Sequence, residues 1–323
     1  MLKKLVIQLA RTLSRGNDRR LNQSADSPHA AAKGPFGTGL PLGCGAALVA
    51  AAVLLPTEAV RAEFGFGFNR PGNVLIADQF NNRVIETDPE GNIVWSFGRG
   101  PNDFSPRSII GCNDAERVGI FTLMAGTGTQ PGVIPQATNG AVDNRVLLVD
   151  PFARIVWQYG QFGKTGSARD LLNTPVQNTF LPNTDILITD QGNNRIIEVS
   201  LAKQIVWQYP GPNTNASDQL ASPNSAELLE NGHILIADQG NNRAIEVSRA
   251  QQILKTFSAG GTVSILAFAS RLPDGDTLIT DSGNARIVEV DSNDVPVWQY
   301  LTVSLSGLKD RRNVPTRSSG RKA

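Results

Sequence analysis

The side chains that carry most covalent and acid–base chemistry are scarce in this chain. Among 323 residues there are two cysteines, two histidines and two methionines. His29 and Cys44 lie in the first 62 residues, which leaves His233 as the one imidazole and Cys112 as the one thiol beyond them. A lone Cys112 excludes an internal disulfide there, even in an oxidising compartment, and reads as a small buried hydrophobe. No Ser-His-Asp or Cys-His constellation can be assembled, because His233 falls in a series of turn residues described below. No glycine-rich loop joins a strand to a helix, so a phosphate cradle of that kind is absent. Helical periodicity is also missing beyond residue 62. Setting aside the first 62 residues, with eight Lys/Arg against three acids, turns a whole-chain charge of +1 into −4, and no basic run precedes the last dozen residues. Phosphate-backbone binding needs clustered Lys/Arg, so nucleic acid is excluded as a partner. What remains, 40% hydrophobic and 18% charged, is the composition of a folded globular chain.

Residues 1–62 read as a signal or transit segment. A cationic region is followed by the apolar stretch LPLGCGAALVAAAVLLP (40–56) and by TEAVRA (57–62), with Val60 and Ala62 at the −3 and −1 positions of a small-residue cleavage site. The stretch is short and rich in Ala and Gly, which favours cleavage over a retained anchor; a membrane enters only if it is retained. The start MLKKLVIQLARTLSR has basic and apolar helical faces, as an organellar transit peptide would. Export follows on either reading, to the periplasm or exterior of a bacterium or to an organelle lumen.

From residue 63 to 323 the chain repeats itself. The segments are NVLIADQFNNRVIETDPEGNIVWSFG (73–98), DILITDQGNNRIIEVSLAKQIVWQYP (185–210), HILIADQGNNRAIEVSRAQQILKTFS (233–258) and DTLITDSGNARIVEVDSNDVPVWQY (276–300). A fifth copy is interrupted: IFTLMAG (120–126), an insertion, then DNRVLLVDPFARIVWQYG (143–160). Arg83, Arg145, Arg195, Arg243 and Arg286 mark the period at intervals of 62, 50, 48 and 43 residues. Each copy reads as three short β-branched strands, and a further strand precedes it, as in TPVQNTFLP (174–182), SPNSAELLE (222–230) and VSILAFASRLP (263–273). Four antiparallel strands in just under fifty residues, repeated about an axis, make an all-β fold of β-propeller type. Five four-stranded blades are expected in a single domain over 63–323; six would need a copy the sequence does not show. The first blade lacks its own first strand. VPTRSSG (314–320) resembles FSPRSIIG (104–111), so the C-terminal strand is expected to pair with the N-terminal blade and close the ring, covering two sheet edges.

The repeated hexapeptide is read as architecture. Gly192, Gly240 and Gly283 offer the positive φ of a tight turn. Asp78, Asp190, Asp238 and Asp281 are expected to accept hydrogen bonds from the backbone N–H groups of that turn. Arg83, Arg145, Arg195, Arg243 and Arg286 bridge to the carboxylate or the adjacent blade. Trp95, Trp157, Trp207 and Trp298 share one position in the last strand, replaced by Lys255 in the fourth copy, and read as wedges between blades. His233 aligns with Asn73, Asp185 and Asp276, all turn residues.

The unit G-x-h-h-I-A/T-D-Q-G-N-N-R-h-h-E-V, with h apolar, resembles the NHL-repeat class of β-propellers over nearly all of 73–300. The I-V-W-Q-Y ending is more weakly similar to quinoprotein-like and arylsulfotransferase-like propeller repeats, whose enzymes use several histidines or a cofactor site of their own. The resemblance implies the fold and leaves function open among ligand-binding modules, protein-interaction domains and enzymes. Metal-dependent lactonase-type propellers use Glu, Asn and Asp about the axis, and composition leaves that chemistry open.

Function is therefore sought where copies differ. The connections 98–104, 127–143, 160–173, 210–221 and 301–313 are enlarged, and all are expected on one face. The innermost strands are expected to start there with Arg107 and Ser108, Gln177 and Asn178, and Asn224 and Ser225, groups suited to a polar or anionic small ligand or a peptide. Three readings follow: an exported, non-catalytic, monomeric propeller that binds a small molecule or protein partner at its long-loop face without a cofactor; a hydrolase or lactonase-like enzyme using a divalent cation; and a scaffold of an envelope or lumenal complex. Export carries its own test: mass spectrometry of the mature chain is expected to place its first residue at Glu63, and an uncleaved N-terminus would show a retained anchor instead.

Overall fold

The computed structural model describes residues 67–212 and 214–301, all within one compact unit, Pro56–Ala323. Residues 1–62, read as a signal or transit segment, and 314–320, expected to close the ring, lie outside the described residues. Nineteen strands and short 3₁₀ turns make up the described fold, and no helix there is long and apolar enough to cross a membrane. The first sheet holds β1 (Val74–Asp78), β2 (Arg83–Thr87) and β3 (Ile93–Phe97). The second holds β4 (Cys112–Val118), β5 (Phe121–Gly126), β6 (Arg145–Val149) and β7 (Ile155–Tyr159). The third holds β8 (Pro175–Phe180), β9 (Ile186–Asp190), β10 (Arg195–Val199) and β11 (Ile205–Tyr209). The fourth holds β12 (Ser225–Leu228), β13 (Ile234–Asp238), β14 (Arg243–Val247) and β15 (Ile253–Phe257). The fifth holds β16 (Leu266–Arg271), β17 (Thr277–Asp281), β18 (Arg286–Val290) and β19 (Pro296–Leu301). Every sheet is an antiparallel meander in chain order. This is a β-propeller of five blades, the first with three described strands.

The middle strands show why the chain packs this way. ILITD in β9, ILIAD in β13 and RVLLV in β6 are buried along their whole length, as expected of strands covered on both faces. Their apolar partners come from the next blade. Phe97, Met124 and Leu147 share one cluster across the first and second sheets, Tyr209, Ile234 and Ile245 another across the third and fourth, and Phe257, Leu266 and Ile279 a third across the fourth and fifth. The core is thus divided among the seams between blades. Polar groups lock those seams. Trp95, Trp157 and Trp207 donate Nε1–H to the carbonyls of Pro151, Leu201 and Arg249, each in the outer hairpin of the following blade. Lys255 cannot do this, and at that seam Asp294 instead accepts the backbone N–H groups of Ser258, Ala259 and Gly260 and the Ser258 hydroxyl. The glutamate of the R-h-h-E-V unit is buried in the first, third and fourth sheets and pairs with an arginine of the next: Glu86 with Arg117, Glu198 with Arg249, Glu246 with Arg271.

The hexapeptide is a joint, and two details of its expected working are corrected. Its aspartate does not cap the turn. Asp190, Asp238 and Asp281 instead accept the N–H of Asn173, Ala221 and Ser264, where their own blade's inner strand begins. Arg195 ties Asp190 to the incoming loop at 2.7 Å and donates to the carbonyls of Ser167 and Leu171. Arg83, Arg243 and Arg286 make the same short pair to Asp78, Asp238 and Asp281. The left-handed residue is the second asparagine, with φ of 49° at Asn82, 51° at Asn194 and 52° at Asn242, and not the glycine. Gly192, Gly240 and Gly283 are needed for space: a Cβ would lie 2.5 Å from Asn173, 2.7 Å from the Ala221 carbonyl and 2.6 Å from Ser264. In the second blade Asp143, beyond the insertion, takes the aspartate's part, pairing with Arg145 and accepting the Ile110 N–H. Gly126 leaves the room for it, since a Cβ there would meet the carboxylate at 2.6 Å.

The left-handed asparagine reaches the next blade. Oδ1 of Asn82, Asn144, Asn194 and Asn242 accepts the N–H of Gly111, Thr174, Ser222 and Ile265. Ala285 holds this place in the fifth blade, at φ 48°. Asn82→Ala should therefore lower stability by about 2 kcal/mol, because it orphans a buried N–H and leaves alanine left-handed. Ala285→Asn should be neutral or slightly stabilising. Urea unfolding midpoints at unchanged slope check both.

Candidate functional site

An innermost strand pairs along one edge with its own sheet, and its other edge must find partners elsewhere. Here the preceding blade supplies them with side chains. Asp114 of β4 accepts the Asn178 N–H at 2.9 Å and its Nδ2–H at 2.7 Å, and Glu116 accepts the Phe180 N–H. Gln177 accepts the Ala226 N–H at 2.6 Å. Ser225 and Glu227 accept those of Ala269 and Arg271 at 3.4 and 3.1 Å. Equivalent positions on β4, β8, β12 and β16 thus carry Asp114, Gln177, Ser225 and Phe268, and, two residues on, Glu116, Thr179, Glu227 and Ser270.

The side chains singled out by sequence take part in this framework. Asn178 is buried against Asp114. Asn224 donates to the Ala267 carbonyl and accepts from Gln191. Ser225 bonds the fifth blade, and Ser108 donates to the Asn82 carbonyl. Arg107 and Ser108 do not begin an inner strand as expected. That strand starts at Cys112, because Gly111, at φ 58° with its N–H held by Asn82, turns the chain first. Exposed Arg107 lies instead beside Arg99 in a surface groove of about 470 Å³ between β3 and the Ala153–Ile155 hairpin. Two of the enlarged loops, 160–173 and 210–221, lie at the hexapeptide end, as their bonds to Asn193, Arg195 and Asn241 show, and the connection after Leu301 lies outside the described residues.

A cavity of about 500 Å³ opens at the opposite end, among the inner strands of the third, fourth and fifth blades. Phe180, Leu228 and Phe268 form much of its wall, and Thr179, Glu227 and Ser270 supply polar groups. Leu181, Pro182, Glu230 and Gly232, from the turns that follow β8 and β12, stand at its rim. Gln177 is the one sequence-predicted residue that reaches it. Glu227, Thr179 and Ser270 were missed because inner strands diverge most between copies; their shared position becomes readable only once the strands are in register.

Charge around the axis is unevenly satisfied. Burial pushes the Glu116 carboxyl up to about 7, against a hydrogen bond from the Phe180 N–H and with a further rise from the nearby Asp114 charge. Burial likewise raises Asp114, against its bonds from Asn178. His233 Nδ1 lies 2.7 Å from Glu246, which also holds Arg271, so the imidazole belongs to a turn. Among the described residues, Asp274, Asp276 and Glu289 bring carboxylate oxygens within 4.8 Å of one another. They stand where other blades have Asn183, Asp185 and Glu198, or Asn231, His233 and Glu246, linked by hydrogen bonds.

No protein-family profile matches the chain, and no curated protein does. Solved structures do. A streptogramin B lyase superposes with a TM-score of 0.50 at 13% identity, over 73% of this chain and 67% of that one. A virginiamycin B lyase from Staphylococcus aureus gives 0.49 at 14% over 74% and 69%, and the WD40 β-propeller domain of Doa1 gives 0.48 at 12% over 68% and 60%. At such identity the likeness to the streptogramin B lyase shows fold alone: this chain is a repeat protein of β-propeller architecture.

The raised Glu116 carboxyl has a signed consequence. Its folded value, about 7, lies above the ordinary 4.5, so between these the folded state holds more protons than the unfolded one and stability falls as pH rises. Glu116→Gln keeps an acceptor for Phe180 and removes the charge. It should leave stability nearly unchanged at pH 4 and raise it by roughly 1–3 kcal/mol at pH 8, read from denaturant melts at both values.

Proposed function

We propose that the chain is an exported, non-catalytic β-propeller that holds a small molecule in the cavity at the axial ends of its third to fifth blades. The observation that carries this reading is the convergence there of polar groups with bonding capacity to spare over an apolar wall. Glu227 commits one carboxylate oxygen to the Arg271 N–H and Gln177 its Oε1 to the Ala226 N–H, which leaves Oε1 of Glu227 and Nε2 of Gln177 for a ligand beside the hydroxyls of Thr179 and Ser270. An apolar enclosure with a few placed polar groups is the usual form of a small-molecule site. Toward the long-loop end, by contrast, Asn224, Ser225 and Ser108 spend polar atoms on neighbouring segments, and Asn178 gives its Nδ2–H to Asp114 while its Oδ1 is buried without a partner.

The metal-dependent hydrolase draws less support. The Asp274, Asp276 and Glu289 group includes the turn after β16, a position that recurs in other blades as a structural tie. A scaffold role would use the outer surface, and nothing in the cavity's chemistry calls for one.

Fragment screening by ligand-observed NMR on the purified chain tests the location. Binding should vanish on Ser270→Phe, which fills the cavity, with the melting temperature held within a few degrees, and should persist on Arg107→Ala. Loss on Arg107→Ala alone would return the site to the long-loop face.

A further inference from the structure

The charge inside the cavity is of one sign, and its walls do not neutralise it. We infer that the axial cavity takes an organic cation, a protonated amine carried on an aromatic or branched aliphatic body. This deepens the proposed function and rests on the cavity being a small-molecule site.

Three features of the wall carry the inference. The first is Glu227, half-buried, with one oxygen committed to a backbone N–H and the other open to the cavity. Glu230 adds a second carboxylate at the rim. The second is what basic groups nearby do. No lysine or arginine lines the cavity. Arg271 follows Ser270 but turns its guanidinium to Glu246 at 2.8 Å and over the Phe257 ring at 5.3 Å. Arg249 is spent on Glu198 and stacks over Trp207. The third is the pair of aromatic rings, Phe180 and Phe268, on different blades of the same cavity. Ring faces attract a desolvated ammonium, while Thr179 and Ser270 supply hydroxyl acceptors for its N–H groups.

Other ligand classes fit less well. An anion would face Glu227 with no cation to offset it. A neutral apolar molecule would strip water from that carboxylate and give nothing back, which is costly for a charged group. An ammonium restores the lost hydration with charge-assisted hydrogen bonds, and the carbon body it carries covers the apolar wall.

Calorimetric titration of the full chain with phenylbutylamine, phenylbutanol and phenylbutyrate separates the possibilities. The amine is expected to bind, with the alcohol and the acid each about tenfold weaker or more. Glu227→Gln preserves an acceptor for the Arg271 N–H, and should weaken amine binding by about tenfold or more while leaving alcohol binding unchanged. Equal binding of amine and alcohol, or full amine affinity in Glu227→Gln, would overturn the cation and leave the cavity as a site. Binding by none of the three would overturn both. If Glu227→Gln fails to fold, the rank order of the three probes on the unaltered chain decides.

Discussion

The structure depends on how the exposed edge of each innermost strand is satisfied. A sheet edge is a row of donors and acceptors that must be paired, covered or solvated. A propeller blade turns such an edge toward the axis, where no further strand can pair with it. This chain answers with Asp114, Glu116, Gln177, Ser225 and Glu227, each accepting a backbone N–H of the following blade. One set of side chains therefore sets the spacing of the blades and decides which polar groups are left over for anything else. The cost shows at Glu116, held in a place where its charge is disfavoured.

The two ends of the barrel of strands divide the work. At the hexapeptide end, the aspartate fixes the start of its own inner strand, the left-handed asparagine fixes the next, and the arginine binds the incoming loop. The long connections 160–173 and 210–221 sit there and take part in these ties, and surface loops are free to grow in this way. At the other end short turns leave the strand ends uncovered, and the cavity is what remains between three blades. Function on a repeat scaffold belongs where equivalence breaks. Gln177, Ser225 and Phe268 occupy one position in three blades and present an amide, a hydroxyl and a ring.

Much of this was legible in the letters. Five copies, their strands, the tryptophan wedges and the turn position of His233 could all be read from spacing, because middle strands buried on both faces keep a short run of branched apolar residues in every copy. The glycine of the hexapeptide was visible but its reason was not: close approach of a neighbouring loop leaves no local pattern, whereas left-handed geometry at asparagine does. Asp143 was hidden by the insertion that separates it from Gly126. The cavity residues were hidden more deeply. An inner strand meets different neighbours in each blade, so one place carries a carboxylate at Glu227 and hydroxyls at Thr179 and Ser270, and only their register reveals them.

Ala285 has a consequence of its own. It presents a methyl group where four other blades present an amide, so this turn cannot make the asparagine tie that joins each of those blades to the next. The junctions from third to fourth and fourth to fifth blades are each closed by an asparagine, a glutamate–arginine pair and either a tryptophan or Asp294. The chamber among those three blades is thus framed by two seams that are each fastened at three points.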